Sequence, residues 1–243
     1  MSGHSKWASI KHQKAIKDGR RGASFTKFAN LISVAARHGA DVTTNFRLRI
    51  AVDQAKKAGV PNNNIDRAIK RGSGQDGATA FEEIIYEGYG PGGVAIMVEA
   101  ATDNRNRTAP DVRAAFSKHG GSLGTTGSVA YQFLHRGVIT VPTNDLDAAT
   151  LDAIEVGADD VEEGEGQLTV YTKTSDLDAV RRGLIEKGYT PESADLSYEP
   201  GSIVEITDPK VAATLMKLLD ALDDLDDVTN THMNAEMDPE LLG

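Results

Sequence analysis

Apolar residues recur at helical spacing through the first third of the chain. One such stripe predicts a helix over about residues 24–37 and consists of Phe25, Phe28, Ile32 and Ala35. Similar patterns predict helices over residues 47–57 and 61–72, and the stretch 8–17 has no helix breaker. Residues 1–76 therefore predict a small helical bundle preceded by a basic arm.

After a glycine-rich linker at residues 72–77 the pattern changes to a mixture of strands and helices. Strands are predicted over residues 81–87 and 94–100, then a helix over 109–118 and a strand over 129–133. We expect Thr108 to cap that helix, with Asp111 three residues later completing a capping box.

Residues 136–202 follow the order βαββαβ, which is typical of ferredoxin-like domains. Its strands are predicted near residues 138–141, 160, 168–172 and 194–198, and its helices over 146–156 and 177–187. A strand, a helix and a strand follow over residues 203–206, 210–222 and 228–233, too few for a unit of their own.

The unit that starts at residue 81 has only the order ββαβ and needs partners. We therefore expect the chain to return to it, so that residues 77–135 and 203–243 form one discontinuous middle domain. Residues 136–202 would then be an acidic domain inserted in it. The predicted fold class is α+β, with three domains, one of them inserted in another.

Composition favours a cytoplasmic protein. The chain has 243 residues, of which 40% are hydrophobic, and no cysteine, which excludes disulfides and zinc–thiolate sites. The longest purely apolar run, residues 94–98, is much shorter than a membrane span, so we expect no membrane contact. The polar, basic N-terminus does not resemble a secretory signal.

The formal charge of −10 hides an uneven distribution. Residues 1–72 hold 15 basic and 4 acidic side chains, a net charge of +11, whereas residues 143–243 hold 6 and 25, a net charge of −19. Such asymmetry indicates a polyanion-binding module joined to an acidic remainder. The alternative, that the charges merely solvate the surface, is the one we favour for the acidic part.

The candidate nucleic-acid contacts are the basic residues and one tryptophan of the first 72 residues, and two arginines of a later loop. Lysine and arginine at this density neutralise phosphates and release counterions. Trp7 could stack on an unpaired base, or could pack the arm onto the bundle. The set comprises His4, Lys6, Trp7, Lys11, His12, Lys14, Lys17, Arg20, Arg21, Lys27, Arg47, Arg49, Lys70, Arg71, Arg105 and Arg107.

The later loop has the sequence DNRNRT at residues 103–108 and precedes a predicted helix. Its two arginines could hold a phosphate beside the amides of the helix N-terminus. The alternative is that aspartate and asparagine only form the turn and cap the helix.

Motifs for catalysis or cofactors give no comparable signal. GYGPGG at residues 88–93 matches GxGxxG, but the strand-like VAIMVEA follows it, whereas a dinucleotide site needs a helix there. The sequence has no GxxxxGK[ST] loop, no GxSxG motif and no histidines at metal-ligand spacing. We therefore predict a protein that is not an enzyme, with no catalytic residues, no metal and no other cofactor.

Five segments closely resemble, in the same order, the YebC/PmpR family, which includes the mitochondrial translational activator of cytochrome c oxidase. They are GHSKWASIKHQK at 3–14, EGYGPGGVAIMVEA at 87–100, TDNRNRT at 102–108, FSKHGGSLG at 116–124 and LDALDDLDDV at 219–228. The matching positions of the arm and loop are His4, Ser5, Lys6, Trp7, Lys11, His12, Asn104, Arg105, Asn106 and Arg107. Residues 40–46 and 125–127 depart from the family's usual loop sequences, which leaves the conformation of those loops open.

The resemblance implies a helical N-terminal domain, two α/β domains with ferredoxin-like features, and a non-enzymatic role. Bacterial members are described as probable DNA-binding transcriptional regulators. The mitochondrial relatives, and bacterial ones as well, are described as ribosome-associated factors that help translation past difficult sequences.

Two functions are compatible with these observations. The first is a DNA-binding regulator of transcription, and the alternative is a ribosome-associated translation factor that binds ribosomal RNA and relieves stalling. Phosphate attraction favours nucleic acid in general and does not choose between DNA and RNA. A pure protein-interaction scaffold would leave the +11 charge unexplained. The sequence leaves the oligomeric state open, and we favour a monomer.

Overall fold

The structure is a computed structural model that describes residues 25–75, 77 and 81–237. Within them the chain begins with three helices: α1 (Phe25–Ala36), α2 (Phe46–Lys57) and α3 (Asn62–Gly72). Each of the three helices begins and ends within one residue of its predicted bounds. The helix predicted over residues 8–17 lies outside the described residues.

The three helices pack their apolar stripes into one core. Ile32 of α1, Leu48 and Ala55 of α2 and Ala68 of α3 are buried together. At the start of α2, the side chain of Asn45 accepts a hydrogen bond from the backbone N–H of Leu48 at 3.1 Å, which caps the helix. These contacts form the predicted bundle.

Gly72, the last residue of α3, lies directly against the backbone of α1. A Cβ atom there would lie 2.0 Å from the carbonyl oxygen of Ser33. Because backbone atoms cannot move aside cheaply, we expect Gly72→Ala to destabilise the protein by about 2–3 kcal/mol. Thermal unfolding would measure the loss. Gly201→Ala is the matched control, since its Cβ would have its nearest neighbour at 3.5 Å. Equal melting temperatures for the two variants would contradict this packing.

The remaining described residues form a mixture of strands and helices. In chain order the elements are β1 (Glu82–Tyr89), β2 (Ala95–Thr102), α4 (Arg105–Lys118), β3 (Ser122–Leu123), β4 (Phe133–Pro142), α5 (Leu146–Glu155), β5 (Asp160–Gly164), β6 (Gln167–Thr172), α6 (Leu177–Glu186), β7 (Ser193–Pro200), β8 (Val204–Ile206), α7 (Pro209–Asp223), β9 (Val228–Met233) and β10 (Ala235–Met237). None of the described helices is long and apolar enough to cross a membrane.

The strands form two antiparallel four-stranded sheets and one short parallel pair. The middle sheet has the order β3-β1-β2-β9, and the second has the order β5-β6-β4-β7, which is that of a ferredoxin-like βαββαβ unit. Strand β9 returns to the middle sheet only after the second sheet is complete, pairing Thr231 with Val98. The domain built on β4–β7 is therefore inserted in the middle domain, and the predicted α+β fold class is confirmed. Strands β8 and β10 form the parallel pair, and β10 was not predicted.

Each α/β domain has its own core, and the helical bundle contacts both domains. Helices α4 and α7 cover one face of the middle sheet, where Phe116 and Leu218 are fully buried. In the inserted domain, Phe46 and Ile50 of α2 pack against its core. The other face of the middle sheet packs against the inserted domain and the helical bundle.

Two predictions for the middle domain are wrong. The strand predicted over residues 129–133 does not form, and a short 3-10 turn occupies Ala130–Gln132 before β4 begins at Phe133. The reason lies in the buried carboxylate of Glu87, which accepts hydrogen bonds from the backbone N–H groups of Gly127, Val129 and Ala130 at 2.6–2.8 Å. Those amides are thus bound to a side chain instead of to a neighbouring strand.

The predicted cap of α4 is also wrong. The helix begins at Arg105, four residues before the predicted start, and its cap is Asn104, whose side chain accepts from the N–H of Arg107 at 3.3 Å. Thr108 lies one turn inside the helix, where its hydroxyl lies 2.7 Å from a carboxylate oxygen of Asp227. Thr108 therefore binds Asp227, a residue distant in the chain, instead of capping the helix.

Candidate nucleic-acid interface

The structure describes seven of the sixteen residues predicted to contact nucleic acid. The other nine lie outside the described residues: His4, Lys6, Trp7, Lys11, His12, Lys14, Lys17, Arg20 and Arg21. The seven described residues divide into cations bound to other parts of the protein and cations exposed to solvent.

Lys27 and Arg71 are bound within the fold. The Arg71 guanidinium donates to Ser33 Oγ at 3.1 Å and to Asn30 Oδ1 at 3.0 Å, and it lies over the ring of Phe81 at 4.3 Å. Lys27 donates to the carbonyl oxygen of Asp223. Arg71 therefore connects α3 to α1 and to Phe81, the residue directly before β1, and Lys27 connects α1 to the end of α7.

Arg47 and Arg49 connect the bundle to the two other domains. Arg47 forms an ion pair with Glu83 of β1 at 2.9 Å, and Arg49 forms one with Asp178 of α6 at 3.1 Å. Lys57, from the same helix, donates to the carbonyl oxygen of Glu192 at 2.7 Å. One side of α2 thus uses its cations for contacts between domains.

Arg107 is held by a partly buried carboxylate. Its guanidinium contacts both oxygens of Asp227 at 2.9 Å, with Asp103 at 3.4 Å as a second partner. The side chain of Asp227 is only 12% exposed, and it also accepts from the hydroxyl of Thr102 at 3.1 Å. The hydrogen bonds and charge of Asp227 raise the pKa of Arg107. The DNRNRT and LDALDDLDDV segments therefore form one contact between the start of α4 and the α7–β9 turn.

Lys70 and Arg105 are exposed, and neither forms an ion pair within the described part of the chain. The i, i+4 pair of Lys70 with Asp66 that its spacing suggests does not form. Two further exposed cations of the bundle, Lys56 and Arg67, likewise have no ion pair among the described residues. The sequence does not single out these two cations, because spacing alone does not show which cations face solvent.

The described residues contain no group of three or more histidine, aspartate or glutamate side chains placed to hold a metal ion. The exposed cations of the bundle can attract a negatively charged partner such as a phosphate backbone. The bundle carries exposed cations on α2 and α3, and the basic arm precedes α1 in the chain.

The fold and this arrangement define a three-domain α+β protein with a basic helical domain and an inserted ferredoxin-like domain. Residues 5–75 match the family model for the TACO1/YebC protein N-terminal domain, and residues 81–235 match the model for the TACO1/YebC second and third domain. The chain belongs to the TACO1/YebC family.

Relatives in this family are similar to the chain over its whole length. A probable transcriptional regulatory protein from Gloeothece citriformis is 49% identical, and so is one from Persephonella marina; each alignment covers 100% of this chain and 98% of the relative. The crystal structure of a conserved hypothetical protein from Aquifex aeolicus is 47% identical, with a TM-score of 0.85, and the match covers 98% of this chain and 100% of that one.

Proposed function

We propose that this protein is a non-enzymatic, cytoplasmic, nucleic-acid-binding regulator of gene expression, which attaches through its basic head, residues 1–72. The observation that carries the proposal is the net charge of +11 on this segment within a chain whose total charge is −10. A concentration of cations on one domain attracts the phosphate backbone and releases its counterions. The relatives are named probable transcriptional regulatory proteins, and we therefore propose DNA as the first candidate partner and ribosomal RNA as the alternative.

The described cations of the basic head fall into two groups, those bound to other parts of the protein and those exposed to solvent. Arg47, Arg49 and Arg71 have protein partners at 2.9–3.1 Å, so that using them for phosphates would break contacts between helices or domains. Lys56, Arg67 and Lys70 are exposed, and no described residue neutralises them. We assign the second group, together with the arm, to phosphate binding.

Replacing Lys56, Arg67 and Lys70 together by alanine tests this assignment. Each lost phosphate contact should reduce the slope of log affinity against log salt concentration by about 1, hence by roughly 3 in total. Fluorescence anisotropy with labelled duplex DNA and with structured RNA, at several salt concentrations, would measure the slope. The matched control replaces Lys173, Lys210 and Lys217, three exposed lysines of the acidic part. Equal slopes for the two variants would show that these bundle cations do not contact phosphates.

The kind of nucleic acid can be identified in cells. Ultraviolet crosslinking followed by sequencing should recover promoter DNA if the protein regulates transcription. Recovery of ribosomal RNA instead would contradict the transcriptional role and support a ribosome-associated translation factor. Recovery of neither would refute the nucleic-acid proposal itself.

A further inference from the structure

Helix α5 of the inserted domain is apolar on its inner and its outer side, and only the inner side is buried. Ala149 and Ala153 on the inner side lie fully buried in the core of the domain. Leu151 and Ile154 on the outer side are 70% and 57% exposed. Because a helix that is apolar all round is normally buried all round, the outer side of α5 is an apolar surface without a partner among the described residues.

The two exposed side chains lie near the free edge of the sheet of the inserted domain. The side of α5 that faces α6 carries Asp152, which binds Lys187 at 3.0 Å and Tyr189 at 2.8 Å. On the side toward β5, the hydroxyl of Thr150 lies 3.5 Å from a carboxylate oxygen of Glu163. In the described part of the chain β5 pairs only with β6, so its outer edge continues the surface of α5.

The surroundings of this apolar surface are strongly acidic. Residues 137–172, which include α5, β5 and β6, contain nine aspartate and glutamate residues and no lysine, arginine or histidine. Asp147 and Glu155 lie one turn before and one turn after Leu151 on α5 and are exposed. A partner that covers this surface must therefore carry positive charge, whereas a nucleic acid would be repelled from it.

The acidic surface lies on the side of the inserted domain that is remote from the basic head. In the sheet order β5-β6-β4-β7, β5 and β7 are the two outer strands. Helix α2 of the bundle contacts the β7 side, where Gln54 donates to Asp195 and Lys57 donates to the carbonyl oxygen of Glu192. A partner at β5 therefore leaves the basic head accessible.

We propose that the outer side of α5, together with the edge strand β5, is a docking surface for a lysine- or arginine-rich segment of a partner protein that also carries apolar side chains. The positive charges fit the acidic segment 137–172, and the apolar side chains cover Leu151 and Ile154. Exposed apolar groups with a polar rim are typical of protein–protein contacts. Charges that only solvate the surface would not need two large aliphatic side chains among them.

Docking at this surface does not depend on the proposed nucleic-acid binding. If the basic head binds nucleic acid as well, the chain links a nucleic acid to a basic protein. Loss of either activity can be measured without the other, because the tests below contain no nucleic acid.

Binding of labelled model peptides to the full chain tests the docking surface. The probe is a short peptide in which lysines alternate with leucines, and two comparison peptides replace the leucines by serine or the lysines by glutamate. We expect the lysine–leucine peptide to bind about tenfold more tightly than the lysine–serine peptide, because it buries apolar surface as well, and the glutamate–leucine peptide not to bind. Fluorescence anisotropy would measure the affinities. Equal affinities for the two lysine peptides would overturn the proposal, since charge alone would then explain binding.

Two variants locate the binding. Leu151→Gln combined with Ile154→Gln should weaken binding of the lysine–leucine peptide about tenfold, with unchanged helix content by circular dichroism, because both side chains are exposed and glutamine is a good helix former. Ile185→Gln is the matched control, since Ile185 is also exposed, at 45%, but lies on α6. It should bind like the parent. Unchanged affinity in the double variant would contradict the assignment to α5.

Two other occupants of the surface give different results. A second copy of the chain would form a dimer that the double variant on α5 converts to a monomer, which light scattering would detect. The basic arm of the same chain would compete with the peptide, so that Lys11→Ala combined with Lys14→Ala would raise the affinity for the peptide. We expect a monomeric parent and an unchanged affinity in the arm variant, and either of the other results would overturn the proposal.

Discussion

Binding to nucleic acid is expected to be lost when four cations of the N-terminal arm are replaced together by glutamate: Lys11, Lys14, Arg20 and Arg21. Each replacement changes the charge by two units, so the charge of the basic head falls from +11 to +3. Because phosphate neutralisation supplies most of the affinity, we expect a loss of roughly a thousandfold or more at physiological salt, together with a nearly flat salt dependence. Anisotropy titrations with DNA and RNA would measure both.

The control variant carries the same change of charge at a different place. It replaces four exposed lysines outside the basic head by glutamate: Lys118, Lys173, Lys210 and Lys217. If binding followed only the net charge of the whole chain, the two variants would lose affinity equally. If the arm variant kept its affinity for both DNA and RNA, the basic head would not be the binding site.

The second large effect is expected for Asp227→Ala, and it concerns stability. This carboxylate binds the guanidinium of Arg107 and the hydroxyls of Thr102 and Thr108 at 2.7–3.1 Å. Removing it takes one partner from each of three polar groups, two of them in buried residues, although Asp103 still contacts Arg107 and the two threonine hydroxyls still bond to each other. We expect a loss of about 2–4 kcal/mol, or roughly 5–10 °C in melting temperature. Thermal unfolding followed by circular dichroism would measure it.

Asp111→Ala is the matched control, because Asp111 is exposed on the same helix and forms no ion pair within the described residues. Its stability should change by less than about 0.5 kcal/mol. Asp227→Ala also distinguishes the two interpretations of Arg107. A phosphate-binding Arg107 released from Asp227 would strengthen nucleic-acid binding, whereas a structural Arg107 leaves the affinity of the folded protein unchanged. We expect no change in affinity.

Much of the fold could be predicted because its signals are local. The stripe of Phe28 and Ile32 and the glycine after α2 locate the helices of the bundle, since helical spacing and termination depend on neighbours within one or two turns. The βαββαβ order likewise followed from alternating local patterns. The strand predicted over residues 129–133 failed because Glu87, about 40 residues earlier, binds its amides.

The candidate site could be predicted only as a set of cations. Arg47, Arg49 and Arg107 look no different in the sequence from Lys56 and Arg67. Their acidic partners are 36, 129 and 120 residues further along the chain. Since ion pairing at such separations exists only after folding, no local pattern shows which cations are already neutralised.

The sequence by itself determined the charge asymmetry, the helical bundle and the family, because charge is a sum over residues and because helical periodicity and family motifs are properties of short segments. Only the tertiary structure decided which cations stay free for a partner, and which side chains join the domains. Glu99, His135, Tyr198 and His232 come from four strands and meet only when two sheets are assembled. Their contacts depend on packing between distant segments, which composition and spacing do not encode.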